Sequence, residues 1–413
     1  MSDLNERIRN LSPKQQELLQ RRLREKSLDL PSALRTPPVE EAAPAVARPR
    51  PRSGKRRPMD FSIFFFSADG SVESNRRYEL LLETVRFADR CGFSAVWTPE
   101  RHFQDFGGLY PNPSVLSAAL AMITSRLQLR AGSLVLPLHS PVRVAEDWAL
   151  IDNLSGGRVA LSFATGWHEH DYVIAPDAYE DRRDRMFRHI PLVRRLWAGE
   201  TVEIPGVGGK MTPVRTLPRP IQPELKFWVT VNSPRTWRQA GEIGANVLTA
   251  MIGNSIPQLS SHIAAYRQAR IDHGHDPRQG IVSLMLHTYI GDDLEATKEK
   301  VREPLKQYLK NFVDQFRPLR QDLVDASSLE MQSLLDFAFE RYFAESSLLG
   351  TPEKCAALLD DLSAAGVDEA ACLVDFGVDL ASTLASLERL EVLRQSFASE
   401  RESVAVGVDD DAG

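Results

Sequence analysis

Cysteine is scarce: the 413 residues hold three, Cys91, Cys355 and Cys372, with no C-x-x-C spacing. That excludes a disulfide framework and gives no zinc pattern, so all three are read as small core residues. No apolar run is long enough to span a bilayer. The opening MSDLNERIRN is charged throughout and lacks the apolar stretch of a secretory signal, so no membrane is implied and the cytoplasm is the expected compartment. Charge of one sign is lacking too. Fifty Lys and Arg against 56 Asp and Glu leave a formal charge of −6, which argues against a nucleic-acid-coating protein. A dinucleotide fingerprint is also missing. GVGGKM (206–211) matches neither G-x-G-x-x-G after a strand nor G-x-x-x-x-G-K-[ST], because Met211 stands where a hydroxyl is required. It reads as a turn, and any reduced cofactor would have to come from another protein.

What is present divides into four parts. Within residues 1–30, SPKQQELLQRRLREK (12–26) starts with Ser12 at an N-cap, Pro13 at the first helical position and Gln15 where a capping box closes. This predicts a short helix with too few apolar residues for a core, a docking or linker element. Residues 31–58 shift to Pro, Ala and Arg and read as a disordered linker, its basic run RPRPRSGKRR solvated. The folded body spans 59–400, and an acidic disordered tail takes 401–413.

Within the body, apolar runs repeatedly end in polar or aromatic residues. AVWTPERH (95–102), LVLPLH (134–139), ALSFATGWHEH (160–170), FWVTVNS (227–233) and VLTAMIGN (247–254) all do so at the same end. In a parallel α/β protein, ligands bind at the carboxyl ends of buried strands. Strands are predicted at 61–67, 95–98, 127–138, 159–166, 227–233, 247–253, 281–291 and 371–377. Helices are predicted at 112–125, 141–154, 182–198, 234–245 and 256–273. Eight strands with intervening helices imply an α/β protein, a (β/α)8 TIM barrel with insertions. The Gly- and Pro-rich stretch 199–226 is expected to form a hairpin over the barrel mouth, and 292–370 to hold extra helices at 293–315 and 328–345.

The strand ends supply the chemistry. Glu100, Arg101 and His102 follow the second strand; a proton can move through His102, whereas Arg101 stays a donor or fixed cation. His168, Glu169, His170 and Asp171 follow the fourth, but alternate in direction and lack the H-E-x-x-H spacing, so no metal is assigned. Trp167 beside Gly166 suits a flat aromatic ligand. In VNSPRT (231–236), Ser233 is an N-cap, Pro234 opens a helix, and Arg235 and Thr236 lie in its first turn, a set that suits a phosphate. Phe64, Phe66, Met285 and His287 are expected in the pocket floor.

WTPERHFQDFG, NPSVLSAALAM, AGSLVLPLHSPVRVAEDWALIDNLSGGR, FATGWHEHDY and VNSPRTWRQAGEIGANVLT together resemble the bacterial luciferase-like flavin monooxygenases, with a weaker likeness over 348–377. The likeness is closest to the branch associated with nonribosomal peptide and polyketide assembly lines. It implies a TIM-barrel flavoprotein that binds reduced FMN from a separate reductase, forms a C4a-hydroperoxide with O₂, and oxygenates a secondary-metabolite intermediate. The substrate is a small molecule or a carrier-protein-bound one, docking runs through the N-terminal helix, and the expected assembly is a homodimer. Carried onto this chain, Ser233, Thr236 and Asn232 match the flavin-phosphate contacts, and Thr165, Gly166 and Trp167 the segment lining the ring. Gly132–Ser133 matches a position that is often a non-proline cis peptide. Many members carry Glu-His-His after the second strand. Here Arg101 replaces the first histidine, so a base role does not transfer to it. Arg101 is assigned to an anionic oxygen, with His102 or His168 handling protons. Three alternatives stay open: an F420-type deazaflavin-dependent oxidoreductase, a metal-dependent barrel hydrolase using His102, His168, His170 and Asp171, and a non-enzymatic flavin-binding or docking subunit.

Overall fold

The computed structural model describes residues 57–66, 76–315 and 328–398. The N-terminal helix, all of the 31–58 linker but Arg57 and Pro58, and the acidic tail lie outside the described residues. Arg57 is hydrogen-bonded to the carbonyl of Ser363 and to Asp368 at 3.2 Å, so the residues that lead into the barrel already lean on it.

Eight parallel strands close on one another. They are β1 (Asp60–Phe64), β2 (Ala95–Thr98), β3 (Gln128–Val135), β4 (Val159–Ala164), β7 (Phe227–Thr230), β8 (Asn246–Ala250), β9 (Val282–Ile290) and β11 (Glu369–Leu373). Pairing runs in that order, and β11 returns to β1. This is the (β/α)8 TIM barrel that the sequence predicts. Both faces of each strand are buried, which is why the strands read as near-continuous apolar runs rather than as alternating ones. A short β10 (Leu348–Gly350) extends β9 beyond the rim, pairing with Thr288–Ile290.

Helices α1 (Glu79–Arg90), α2 (Pro113–Ala121), α3 (Pro141–Ser155), α4 (Arg182–Ala198), α5 (Pro234–Glu242) and α6 (Ile256–Asp272) form the outer layer. Several begin on a polar cap followed by proline, which fixes where the chain leaves the barrel mouth. Asn112 caps α2 through the N–H groups of Ser114 and Val115, and Ser233 caps α5 through Thr236 N–H. Ser255 and Gln258 close a capping box on α6.

The two insertions behave differently. Residues 199–226 do contain a hairpin, β5 (Val202–Pro205) with β6 (Met211–Val214). It does not cover the mouth. Val202 and Ile204 pack on Ala145 and Val142 of α3 and on Leu192 and Leu196 of α4, so the hairpin flanks the outside of the helical layer. Its return is pinned where α4 ends, Arg219 donating to the carbonyls of Leu196 and Trp197. The apolar edge of β5 found its partner on those helices, leaving it no reason to reach the strand ends. The second insertion does reach the mouth. Here α7 (Leu294–Asp314) and α8 (Ser328–Glu345) rise from β9 and return through β10, before α9 (Pro352–Ala365), β11 and α10 (Leu380–Gln395) complete the barrel.

Cys355 and Cys372 are core residues, their thiols pushed up to about 12 by burial. Cys91 is not: it is half-buried, past the last turn of α1.

Candidate active site

The carboxyl ends of β1, β2, β3, β4 and β7 meet through side chains. Phe66 after β1 lies under the Arg101 guanidinium at 5.0 Å, and Trp167 after β4 stands 5.8 Å from the same group. The Gln104 amide nitrogen is 2.8 Å from His168 Nε2, and Phe103 has its ring between those of His102 and His170. Phe103 takes a φ of 56°, the one positive φ outside glycine among the described residues. Arg101, Trp167 and His168 are therefore brought together.

Glu100 is the hub. It is fully buried, and one carboxylate oxygen accepts from Val135 N–H at 2.6 Å while the other lies 2.6 Å from His139 Nε2 and 3.1 Å from His102 Nε2. Burial alone would raise this carboxyl, but the hydrogen bonds from the two histidines and Val135 outweigh it and hold Glu100 below its ordinary value. His139 responds in kind. Desolvation opposes its charge, yet the Glu100 carboxylate raises the imidazole above its ordinary value. His139 was not singled out from the sequence, although LVLPLH ends on it. His102 bonds to Glu100 while lining the same pocket as Arg101.

Arg101 is buried among Phe66, Phe106 and Trp167. Its backbone N–H donates to Tyr110 O, and its Nη2 donates to Gln315 Oε1 at 2.6 Å. Gly107, at φ +85°, permits this packing: a Cβ there would sit 2.7 Å from the Arg101 Cγ. Burial lowers the guanidinium from its ordinary value, against the fields of Asp171 and Tyr308. His168 is also lowered, first by burial and then by Arg101 and His170, against Asp171, which leaves a neutral imidazole at pH 7.

Along β3 the Gly132–Ser133 peptide is cis, the conformation implied by the resemblance. The ladder with β4 shifts register there, Gly132 opposite Ser162 and Leu134 opposite Phe163, so Ser133 leaves the ladder. Its hydroxyl meets Thr230 Oγ1, which is 2.9 Å from Ser162 Oγ. Thr230 carries no signal in the sequence beyond its position near the end of FWVTVNS. Three residues on, Ser233 and Thr236 bond each other at 2.9 Å at the start of α5, beside exposed Asn232 and Arg235. Two hydroxyls, helix N–H groups and a guanidinium are a donor set that fits a phosphate. Gly166, at φ +62°, lets the backbone pass Val135, where a Cβ would come within 2.7 Å of Cγ1.

The expected pocket floor needs correction. Phe66 is at the mouth, but Phe64 and Met285 are packed in the cluster beneath it. His287 is walled off by Tyr308, Tyr342 and Phe376, the first two brought by α7 and α8, and burial pushes it down to about 3. Among the described residues, no group of three His, Cys, Asp or Glu has the geometry to hold a metal ion.

Comparison with known proteins agrees with this architecture. The family model described as luciferase-like monooxygenase matches residues 59–369. The oxygenase component of flavin-dependent trigonelline monooxygenase from Acinetobacter baylyi is 26% identical over 340 residues, covering 80% of this chain and 93% of that protein. A monooxygenase of Streptomyces bottropensis, RslO1, superposes with a TM-score of 0.68 at 26% identity, covering 81% of this chain and 98% of the other. The oxygenating constituent of 3,6-diketocamphane monooxygenase from Pseudomonas putida, a type II Baeyer–Villiger enzyme in complex with FMN, shares the fold. Its TM-score is 0.66 at 20% identity, over 81% of this chain and 97% of that one. With most of the barrel matched, this chain belongs to the luciferase-like monooxygenase family.

Proposed function

We propose that this chain is the oxygenase of a two-component system, taking reduced FMN from a separate reductase and placing one atom of O₂ on a secondary-metabolite intermediate. The observation that carries this reading is the convergence of five strand-end loops between a phosphate-suited helix start and a buried cation. Membership of a family whose relatives include a flavin-dependent oxygenase component supports it. Bound reduced FMN would supply the two electrons with which O₂ yields the transferred oxygen atom and water.

The chain's own residues would divide the remaining tasks. Ser233, Thr236 and Asn232 with the first turn of α5 would hold the phosphate. Gly132, Ser133, Thr165, Gly166 and Trp167 would line the ring. Neutral His168 would take a proton, Arg101 would hold negative charge, and Glu100 would fix His102 and His139 in place. The α7–α8 insertion would shield this space from water on the β9 side.

Anaerobic titration with reduced FMN, then with a reduced deazaflavin, tests the cofactor; admission of ¹⁸O₂ with candidate free and carrier-loaded substrates tests the reaction. Reduced FMN should bind, and Ser233→Ala should weaken it about tenfold, the worth of one hydrogen bond to a charged group. Tighter binding of the deazaflavin overturns the oxygenase reading, and FMN binding without ¹⁸O in any product favours a flavin-binding subunit.

A further inference from the structure

We propose that the mouth contains a receptor for the carboxylate of a small organic acid, formed by the Arg101 guanidinium and the Gln315 side-chain amide. This deepens the oxygenase reading, on which it rests, by naming the chemical class of the substrate.

The argument starts from an unbalanced charge. Arg101 is 7% exposed and Gln315 8%. Among the described residues no carboxylate comes within ion-pair distance of Arg101, and its side-chain hydrogen bond goes to the neutral Gln315 Oε1 at 2.6 Å. A guanidinium can only donate, so that bond fixes which end of the Gln315 amide faces it. The other end, Nε2, is then buried with no hydrogen-bond partner among the described residues. Buried donors without acceptors are rare, and one of them on the amide that Arg101 contacts, beside a guanidinium bonded only to a neutral oxygen, points to a missing acceptor. Asp171 acts on Arg101 only as a field at longer range, without an ion pair between them, and burial raises its carboxyl from the ordinary value.

The surroundings select the kind of anion. A pocket of 450 Å³, lined by Arg77, Arg101, His102, Gln104, Asp105 and Leu109 among others, opens beside the guanidinium. That volume suits a small organic molecule. The fork of guanidinium N–H groups on this pocket matches a planar group with two oxygens, and the Gln315 amide holds the fork from the buried side. Arg77 at the rim adds a second positive charge that would draw such an acid inward.

Calorimetric titration of the full chain loaded with FMN provides the test, using benzoate against benzamide and butyrate against butyramide. At least one acid should bind about tenfold more tightly than its amide, the worth of one charge-assisted contact. Arg101→Met should erase the preference while FMN affinity stays within about twofold. Gln315→Leu should reduce the preference without erasing it. Equal or undetectable binding of acid and amide in both pairs overturns the proposal, as does an unchanged preference in Arg101→Met. Stronger competition by inorganic phosphate than by benzoate also overturns it. Should Arg101→Met not fold, an unchanged preference in Gln315→Leu decides against the receptor. Failure of FMN to bind, with the acid preference intact, would instead remove the oxygenase reading and leave the receptor standing.

Discussion

Two buried arginines lie toward opposite ends of this barrel, and each is packed against aromatic rings. Arg130 of β3 lies 4.7 Å from the Trp97 ring and 4.5 Å from the Trp228 ring. Its Nη1 is 2.8 Å from both oxygens of Glu369, a residue 0% exposed at the start of β11. Glu369 in turn accepts from Ser62, Ser283 and Trp97 Nε1. Burial would raise that carboxyl, but Arg130 and these hydrogen bonds hold it below its ordinary value. Arg101 has the rings without the carboxylate. At the closed end the protein neutralises its own charge and spends it on holding five strands together. At the mouth it leaves the charge for something that arrives.

The largest effect expected from this contrast is on stability. Glu369→Gln strands the Arg130 cation in the barrel interior and should cost about 3–5 kcal/mol, as when one partner of a buried pair is removed. Arg101→Met breaks no ion pair but leaves the buried Gln315 Oε1 without its donor, so it should cost about 1–3 kcal/mol, less than Glu369→Gln. Denaturant titration of both variants measures the difference. Equal losses would show that the mouth arginine is as much a scaffold residue as the one below.

A second test uses pH and the Glu100 hub, which lies between the two arginines in character: partnered like Arg130, yet open to the mouth through His139. The His139 imidazole is raised above its ordinary 6.5, so the stability it contributes is complete below that value and is lost as pH rises through the raised one. Glu100 works the other way, its contribution present above 4.5 and lost as pH falls through its lowered value. Melting temperature scanned from about pH 6 to about pH 9 should therefore fall in the parent, and fall less in Glu100→Gln. Parallel curves would separate His139 from Glu100 in solution.

The strands were legible because parallel barrel strands are apolar on both faces, and polar residues crowd where they end. Their exact limits were less so. β11 begins at Glu369, two residues before the expected start at 371, because a buried glutamate looks like a loop residue until its partner is known. That partner is 239 positions away, and no local pattern reports such a distance. The same holds at the mouth. Glu100, Arg101 and His102 announced themselves beside an apolar run, but Gln315 reaches Arg101 across 214 positions from just past the end of an insertion helix with no strand-end pattern. The 199–226 hairpin was recognisable from its turn residues, whereas its place outside α3 and α4 depended on which helices offered Val202 an apolar groove. His287 failed as a pocket residue for a related reason: the helices that bury it come later in the chain.

The smallest effects should sort single hydroxyls by the same division. Ser62 at the closed end donates to Glu369 and accepts from Trp97 Nε1 at 2.9 Å. Its loss in Ser62→Ala leaves that indole only the 3.3 Å contact with Glu369, so stability should fall by about 1 kcal/mol while FMN affinity is untouched. Thr230 bridges Ser133 and Ser162 toward the mouth, where the half-buried site lets water replace a lost hydroxyl. Thr230→Val should therefore cost less stability than Ser62→Ala but weaken FMN by a few-fold, since Ser133 loses the group that orients it. Thermal melts and FMN titrations of the two variants read both quantities. If Thr230→Val costs the greater stability and leaves FMN binding alone, its hydroxyl belongs with the self-satisfied network below, and the boundary between scaffold and site moves up the barrel past β7.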